Sequence, residues 1–151
     1  MTALSPLTII EPEEIRGLGP QDGYEQVILA VDSGASETVL ERTVLPTVDL
    51  KEGAAKKNGV KCEVANGQIL ENLGEKTFTA LTEEGFGRNL TAQVCDVNKS
   101  LLSVSRAVKN NNCVLFHPRG SYIQDLSTGE RSWLKEEGGT YHLSLWVPCP
   151  N

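Results

Sequence analysis

The sequence has no cysteine pair in a C-x-x-C spacing, no long apolar run and no excess of positive charge. Its four cysteines, Cys62, Cys95, Cys113 and Cys149, lie 33, 18 and 36 residues apart. A zinc site normally draws two ligands from one tight turn, so no metal is expected. Spread along a chain able to build its own core, the four are expected as reduced thiols of a cytoplasmic protein. No apolar stretch approaches the roughly 18 residues of a membrane helix, so no membrane partner is expected. The first ten residues, MTALSPLTII, carry no Lys or Arg, against a secretory signal. Lys and Arg total 14 against 20 Asp and Glu, a net charge of −6. That argues against direct nucleic-acid binding through a general basic surface. No G-x-S-x-G elbow exists for a serine hydrolase. His117, before Pro118, is expected in an exposed loop, and His142, between Tyr141 and Leu143, on the solvent side of a strand. No internal repeat appears.

What is present is enough for one packed core. Leu, Ile, Val and Phe number 40 of 151 residues, above the roughly 20% below which a polar chain stays disordered. The length suits one domain of about 150 residues. Residues 1–22, with Pro6, Pro12 and Pro20, read as an N-terminal extension, broken only by the apolar group Leu7 to Ile10. A core is expected over 23–110, with 111–151 as a hairpin and strand that complete or follow it.

Short strands dominate that core. Val27 to Val31 is a five-residue apolar run, expected as a strand buried on both faces. Residues 50–58 suggest a short helix capped by Asp49 and stopped by Gly59. Val60, Cys62 and Val64 alternate with charged residues before Asn66-Gly67, a pair suited to a two-residue type I′ hairpin turn. Gln68 to Leu70 returns, and Gly74 marks a bend before Lys76 to Leu81. Thr91 to Val97 and Leu101 to Val104 follow, and Ser105 is expected to cap a helix to Lys109. Hairpin strands are expected at Val114 to Phe116 and Tyr122 to Gln124, and a last strand at Tyr141 to Val147. Many short strands with little helix indicate an all-β closed or sandwich-like architecture.

Chemistry concentrates in Asp32-Ser33-Gly34-Ala35-Ser36, where the buried run ends. Gly34 lets the chain double back closely, and the Ser33 hydroxyl is suited to bracing the turn. Taken alone, this is either an Asp capping a turn or a carboxylate held rigidly in a partly desolvated site. Other charged groups read as solvated: Glu83-Glu84 and Glu136-Glu137 beside glycines, Asp96 at a strand edge, and the basic face of Lys51, Lys56, Lys57 and Lys61. Trp133 and Trp146 are expected as core or interface anchors.

The stretch Val31-Asp32-Ser33-Gly34-Ala35 resembles the Asp-(Thr/Ser)-Gly-Ala motif of the retropepsins, the aspartic peptidases of retroviruses and retrotransposons. The family's glycine-bearing flap matches Val64-Ala65-Asn66-Gly67, with Ala65 placed 33 residues after Asp32. Its apolar pair and short helix match Leu101-Leu102-Ser103-Val104-Ser105-Arg106. Many members have Gly where this chain has Ser103. Leu-Leu-Ser-Val-Ser and the stretch Val114 to Val147 are most similar to copia-type retrotransposon polyproteins. The resemblance implies a closed acid-protease barrel with a flap hairpin and one or two short helices. It implies a catalytic Asp32, Ser33 and Gly34, and substrate contacts from Ala35, Ala65, Asn66 and Gly67. Two Asp side chains sharing a proton activate water in such enzymes, and no cofactor is used. One Asp-Ser-Gly motif and no repeat then imply a homodimer, acting on an extended peptide or polyprotein. The alternative is a catalytically inactive retropepsin-like module that binds peptides or dimerises a larger chain.

Overall fold

A computed structural model describes residues 23–63 and 67–149. The expected extension 1–22 and the residues Val64, Ala65 and Asn66 lie outside the described residues. The chain forms β1 (Tyr24–Asp32), β2 (Val39–Glu41), α1 (Ala54–Lys57), β3 (Cys62–Glu63), β4 (Ile69–Leu70), β5 (Gly74–Thr82) and β6 (Gly87–Cys95). Then come β7 (Leu101–Ser103), α2 (Val104–Lys109), β8 (Asn112–Leu115), β9 (Ser121–Asp125), β10 (Arg131–Glu137) and β11 (Thr140–Pro148).

Six strands close a barrel in the order β1-β7-β2-β6-β5-β11, with β11 pairing back onto β1. The all-β closed architecture is therefore present, with two short helices. β1 runs parallel to β7, matching Asp32 to Ser103, and antiparallel to β11 from Tyr24↔Pro148 to Ala30↔His142. β5 and β6 form the long hairpin. On its other side β11 pairs with β5 through Leu145 and Trp146 and with β10 through His142 to Thr140. Both edges of β11 are thus used within the protomer. Residues 111–148 complete the barrel through β11 and extend it through the β10-β9-β8 sheet.

Closure puts alternate residues inside. On β5, Lys76, Phe78, Ala80 and Thr82 are buried between exposed or half-buried neighbours, the period of two expected of a strand with one solvated face. Val27, Leu29, Leu40, Val94, Leu102, Leu143, Leu145 and Val147 meet them in the core. Ile28 is 52% exposed, so β1 is not buried on both faces: a barrel has an outside. Trp146 is buried as expected, whereas Trp133 is 46% exposed, resting edge-on against Tyr122. His117 lies in an exposed loop and His142 is half-buried on β11.

Local rules failed where tertiary contacts intervened. The helix expected over 50–58 shrinks to four residues with Gly53 before it, because Lys51 pairs with Glu75 through two backbone bonds. Gly53 packs so tightly on the Glu75 side chain that a Cβ there would collide with it. The hairpin β3–β4 pairs Cys62 with Leu70 and Glu63 with Ile69, a register that does not fit a two-residue turn.

Leu45 is fully buried with φ +55°, a conformation disfavoured for a branched side chain. Polar groups from two strands hold it there. Glu25 accepts its N–H at 3.1 Å, while the Lys76 ammonium donates to the carbonyls of Val44 and Leu45 at 3.0 and 2.7 Å. Burial pushes the Lys76 amine below the ordinary lysine value, and Glu25 opposes the shift.

Two stability outcomes follow from this packing. Leu29→Ala is expected to lower unfolding free energy by about 3 kcal/mol, and Ile28→Ala, one residue along, by under about 0.5 kcal/mol. Urea denaturation of both variants checks the inside–outside assignment of β1, and equal losses would contradict it. The Lys76 shift fixes a sign. Just below the ordinary lysine value of about 10.4, the unfolded chain binds more protons than the folded one. Stability contributed at this site therefore rises with pH through that range. Lys76→Met should flatten the rise, as read from denaturation midpoints on both sides of it.

Candidate active site

Asp32 is the last residue of β1, and the parallel pairing to β7 fixes its backbone beside Ser103. The chain turns immediately afterwards. The Gly34 N–H donates to Asp32 Oδ1 at 2.7 Å, so the carboxylate caps its own turn. A Cβ on Gly34 would stand 3.3 Å from that oxygen, so the Asp32 carboxylate would have to give by a few tenths of an ångström to admit a side chain here. Asp32 and Ala35 are half-buried, and Ser33 and Gly34 are exposed. The structure therefore brings Asp32, Ser33, Gly34 and Ala35 into one surface loop.

The loop is braced from behind by the β7–α2 junction. Ser103 is fully buried. Its hydroxyl donates to the Ala35 carbonyl at 2.7 Å and accepts the Arg106 N–H at 3.1 Å, while its own N–H donates to Thr38 Oγ1 at 3.1 Å. Ser103, rather than Ser105, is the N-cap of α2. The Ser103 hydroxyl supplies the brace expected from Ser33. Arg106 then forks onto the Glu37 carboxylate, and that hydrogen-bonded pairing raises the already high guanidinium value. Ser100 adds a further tie, its carbonyl accepting the Ala30 N–H and its hydroxyl the Glu41 N–H. Of these bracing residues Ser103 stands out in the sequence, whereas Thr38, Ser100 and the Glu37–Arg106 pair do not. The available signal was a serine directly before a helical segment, read two residues too late.

The β3–β4 hairpin, expected as the flap, forms its own two-stranded sheet. Gly67 adopts φ +84°, open to glycine at little cost. Ala65 and Asn66, the other expected flap contacts, lie outside the described residues. At the base of the hairpin Cys62 is joined to Cys95 at the end of β6. This corrects the expectation of four reduced thiols, because β-pairing carries a residue 33 positions away to the same end of the barrel. Cys113 and Cys149 are free and half-buried.

A groove of about 730 Å³ opens beside the loop, with Glu37, Thr38 and Arg106 on one wall and Thr77, Thr91 and Gln93 on another. Asp32 is not in its lining. No cluster of three or more candidate metal ligands occurs among the described residues, and no described helix is long and apolar enough to cross a membrane. His117 Nδ1 accepts the Arg119 N–H within its own loop. Asp96 is exposed and faces Arg42 at 3.9 Å.

No family model, curated protein or solved structure matches the chain.

Removing the Ser103 hydroxyl strips the α2 cap and leaves the Ala35 carbonyl without that donor. Ser103→Ala is expected to lower stability by about 1–3 kcal/mol and to speed amide exchange at Gly34 through Thr38. Unchanged exchange in that loop would show that the brace does not hold it.

Proposed function

We propose that the chain is a retropepsin-type aspartic endopeptidase, acting as a homodimer on a polyprotein of copia-type retrotransposon origin. The observation that carries the reading is the Asp32 loop: one carboxylate, capped by its own turn, braced from within and exposed to a neighbour. Peptide hydrolysis of this kind needs two carboxyl groups, and the sequence offers one such motif with no repeat. The second comes from a symmetry-related protomer, Asp32 meeting Asp32 across a two-fold axis.

Two carboxyl groups a few ångströms apart hold one proton between them, because both ionising would be repulsive. The ionised one takes a proton from a water set between them. The protonated one gives its proton to the scissile carbonyl oxygen as the water attacks. The Gly34 N–H holds the Asp32 carboxylate at the loop tip, the Ser33 hydroxyl faces the second protomer, and Ala35 lies beside the bound backbone. The substrate lies extended, bonding as an added strand does, under the flap that carries Ala65, Asn66 and Gly67. Water and carboxyl groups suffice for this chemistry, without a cofactor.

The test is cleavage of extended peptides at mildly acid pH by wild type and Asp32→Asn, with mass measured by sedimentation. Expected are two copies per particle, cleavage that falls on dilution as dimers separate, and a loss of about 10³-fold or more in Asp32→Asn. Equal cleavage by the Asn variant, or none by purified dimer, defeats the peptidase reading. Peptide binding without cleavage points instead to the inactive module.

A further inference from the structure

We propose that the open edge of β6 is a second peptide-binding site, one that takes an extended, uncharged segment as an added strand. β5 pairs with β6 from Gly87 to Val94, whereas β2 covers the other edge only from Gln93 to Cys95. Among the described residues no strand pairs with that edge between Gly87 and Ala92. Backbone bonds alternate along an antiparallel pair, and Thr82 donates to the Phe86 carbonyl at 2.9 Å. Counted from that rung, Arg88, Leu90 and Ala92 bond to β5, while Asn89 and Thr91 turn their N–H and C=O groups to the open edge. Gln93, next in that series, shows the direction: its N–H donates to the Thr38 carbonyl at 2.8 Å. Asn89 and Thr91 have no such partner among the described residues, and both are exposed. Neither Pro nor Lys, which commonly blunt an edge of this kind, occurs between Gly87 and Ala92.

The groove of about 730 Å³ runs along this edge, with Gly87 to Thr91 and then Gln93 in its lining. Facing them are Arg106, Ala107 and Asn110 of α2, and Leu90, Leu102 and Leu143 supply apolar surface. Arg88 is paired with Glu130 and Arg106 with Glu37, so neither cation is free to select an acidic ligand. The complement is the uncharged backbone of an extended chain. The six residues from Gly87 to Ala92 span about 20 Å, enough for a strand of about the same length. Such a segment satisfies the backbone of Asn89 and Thr91 and lays alternate side chains on the leucines. Asp32 does not line the groove, so occupancy of this edge does not rest on the peptidase reading. Within that reading, the edge holds a part of the substrate away from the scissile bond.

The probe is a short peptide alternating Thr and Val, acetylated and amidated, added to the full Asp32→Asn chain while amide exchange is read residue by residue. Expected is exchange slower by about tenfold or more at Asn89 and Thr91, with Leu90, already bonded to β5, unchanged. Ala107→Trp, which fills the groove from α2, should weaken binding by about tenfold or more. Thr91→Pro removes an N–H that β5 does not use, a change an edge position tolerates, and should weaken binding equally. It keeps the test open if the tryptophan variant does not fold. No binding at about 1 mM peptide overturns the proposal, as does binding that leaves Asn89 and Thr91 unprotected or that both variants retain. Protection that grows with protein concentration in the absence of peptide overturns it too, because the occupant is then a second copy. Cleavage of the peptide by Asp32→Asn counts against the peptidase reading and leaves the edge site standing. Normal cleavage by wild type with no protection of the edge does the reverse.

Discussion

Three residue pairs between two parallel strands, Ala30 with Leu101, Val31 with Leu102 and Asp32 with Ser103, organise the functional end of this molecule. Parallel strands are seldom joined by a short turn, and here about 70 residues intervene. The pairing places an acidic side chain at the end of one strand beside the hydroxyl that ends the other. From there a single serine serves two purposes: it caps α2 and holds the Ala35 carbonyl. A buried hydroxyl that both donates and accepts is fully used, so it does not tax the core as an orphaned one would. A glycine at this position would leave the Ala35 carbonyl to find another donor.

The barrel meets the demands of burial with a few strong polar ties. Glu25 and Lys76 hold Leu45 in a backbone conformation it would not otherwise keep. Arg88 pairs with buried Glu130 at 3.1 Å and fastens the β8–β10 sheet to the β5–β6 hairpin. Breaking one partner of such a buried pair is more harmful than replacing both with apolar groups. These ties lie away from the Asp32 loop, which leaves the loop free to be shaped by its own contacts.

Much of this was legible in the residues. The short apolar run of β1, the alternation before the β3–β4 hairpin and the strands from Lys76 and from Tyr141 could be read from the residues, although β1 keeps one face exposed. The Asp-Ser-Gly-Ala string marked the loop because a carboxylate at the end of a buried strand needs a reason. What stayed hidden depends on partners distant in sequence. Whether Ile28 faces in or out is decided by closure of the sheet, which β11 completes from the far end of the chain. The Ser103 brace, the Glu37–Arg106 fork and the Cys62–Cys95 bond each join segments 33 to 69 residues apart. The short helix starts late for a local reason with a distant cause: Glu75 holds the backbone of Lys51 in a bridge, and the helix begins only at Ala54.

The loop's bonding inventory bears on the proposed dimer. Asp32 Oδ1 is occupied by the Gly34 N–H, the Ala35 carbonyl by Ser103, and Thr38 Oγ1 by the Ser103 N–H. Among the described residues, Asp32 Oδ2 and the Ser33 hydroxyl have no partner. A loop so constrained loses little conformational freedom when a second copy approaches, which lowers the entropic cost of association. In the proposed dimer these two groups would face the neighbour's carboxyl group and hydroxyl. Both edges of β11 are already spent within the protomer, so this strand cannot add to a sheet across the axis. In the proposed enzyme, assembly then rests on the loop and on surfaces other than the closing strand. That makes dimer formation and completion of the catalytic pair nearly the same event.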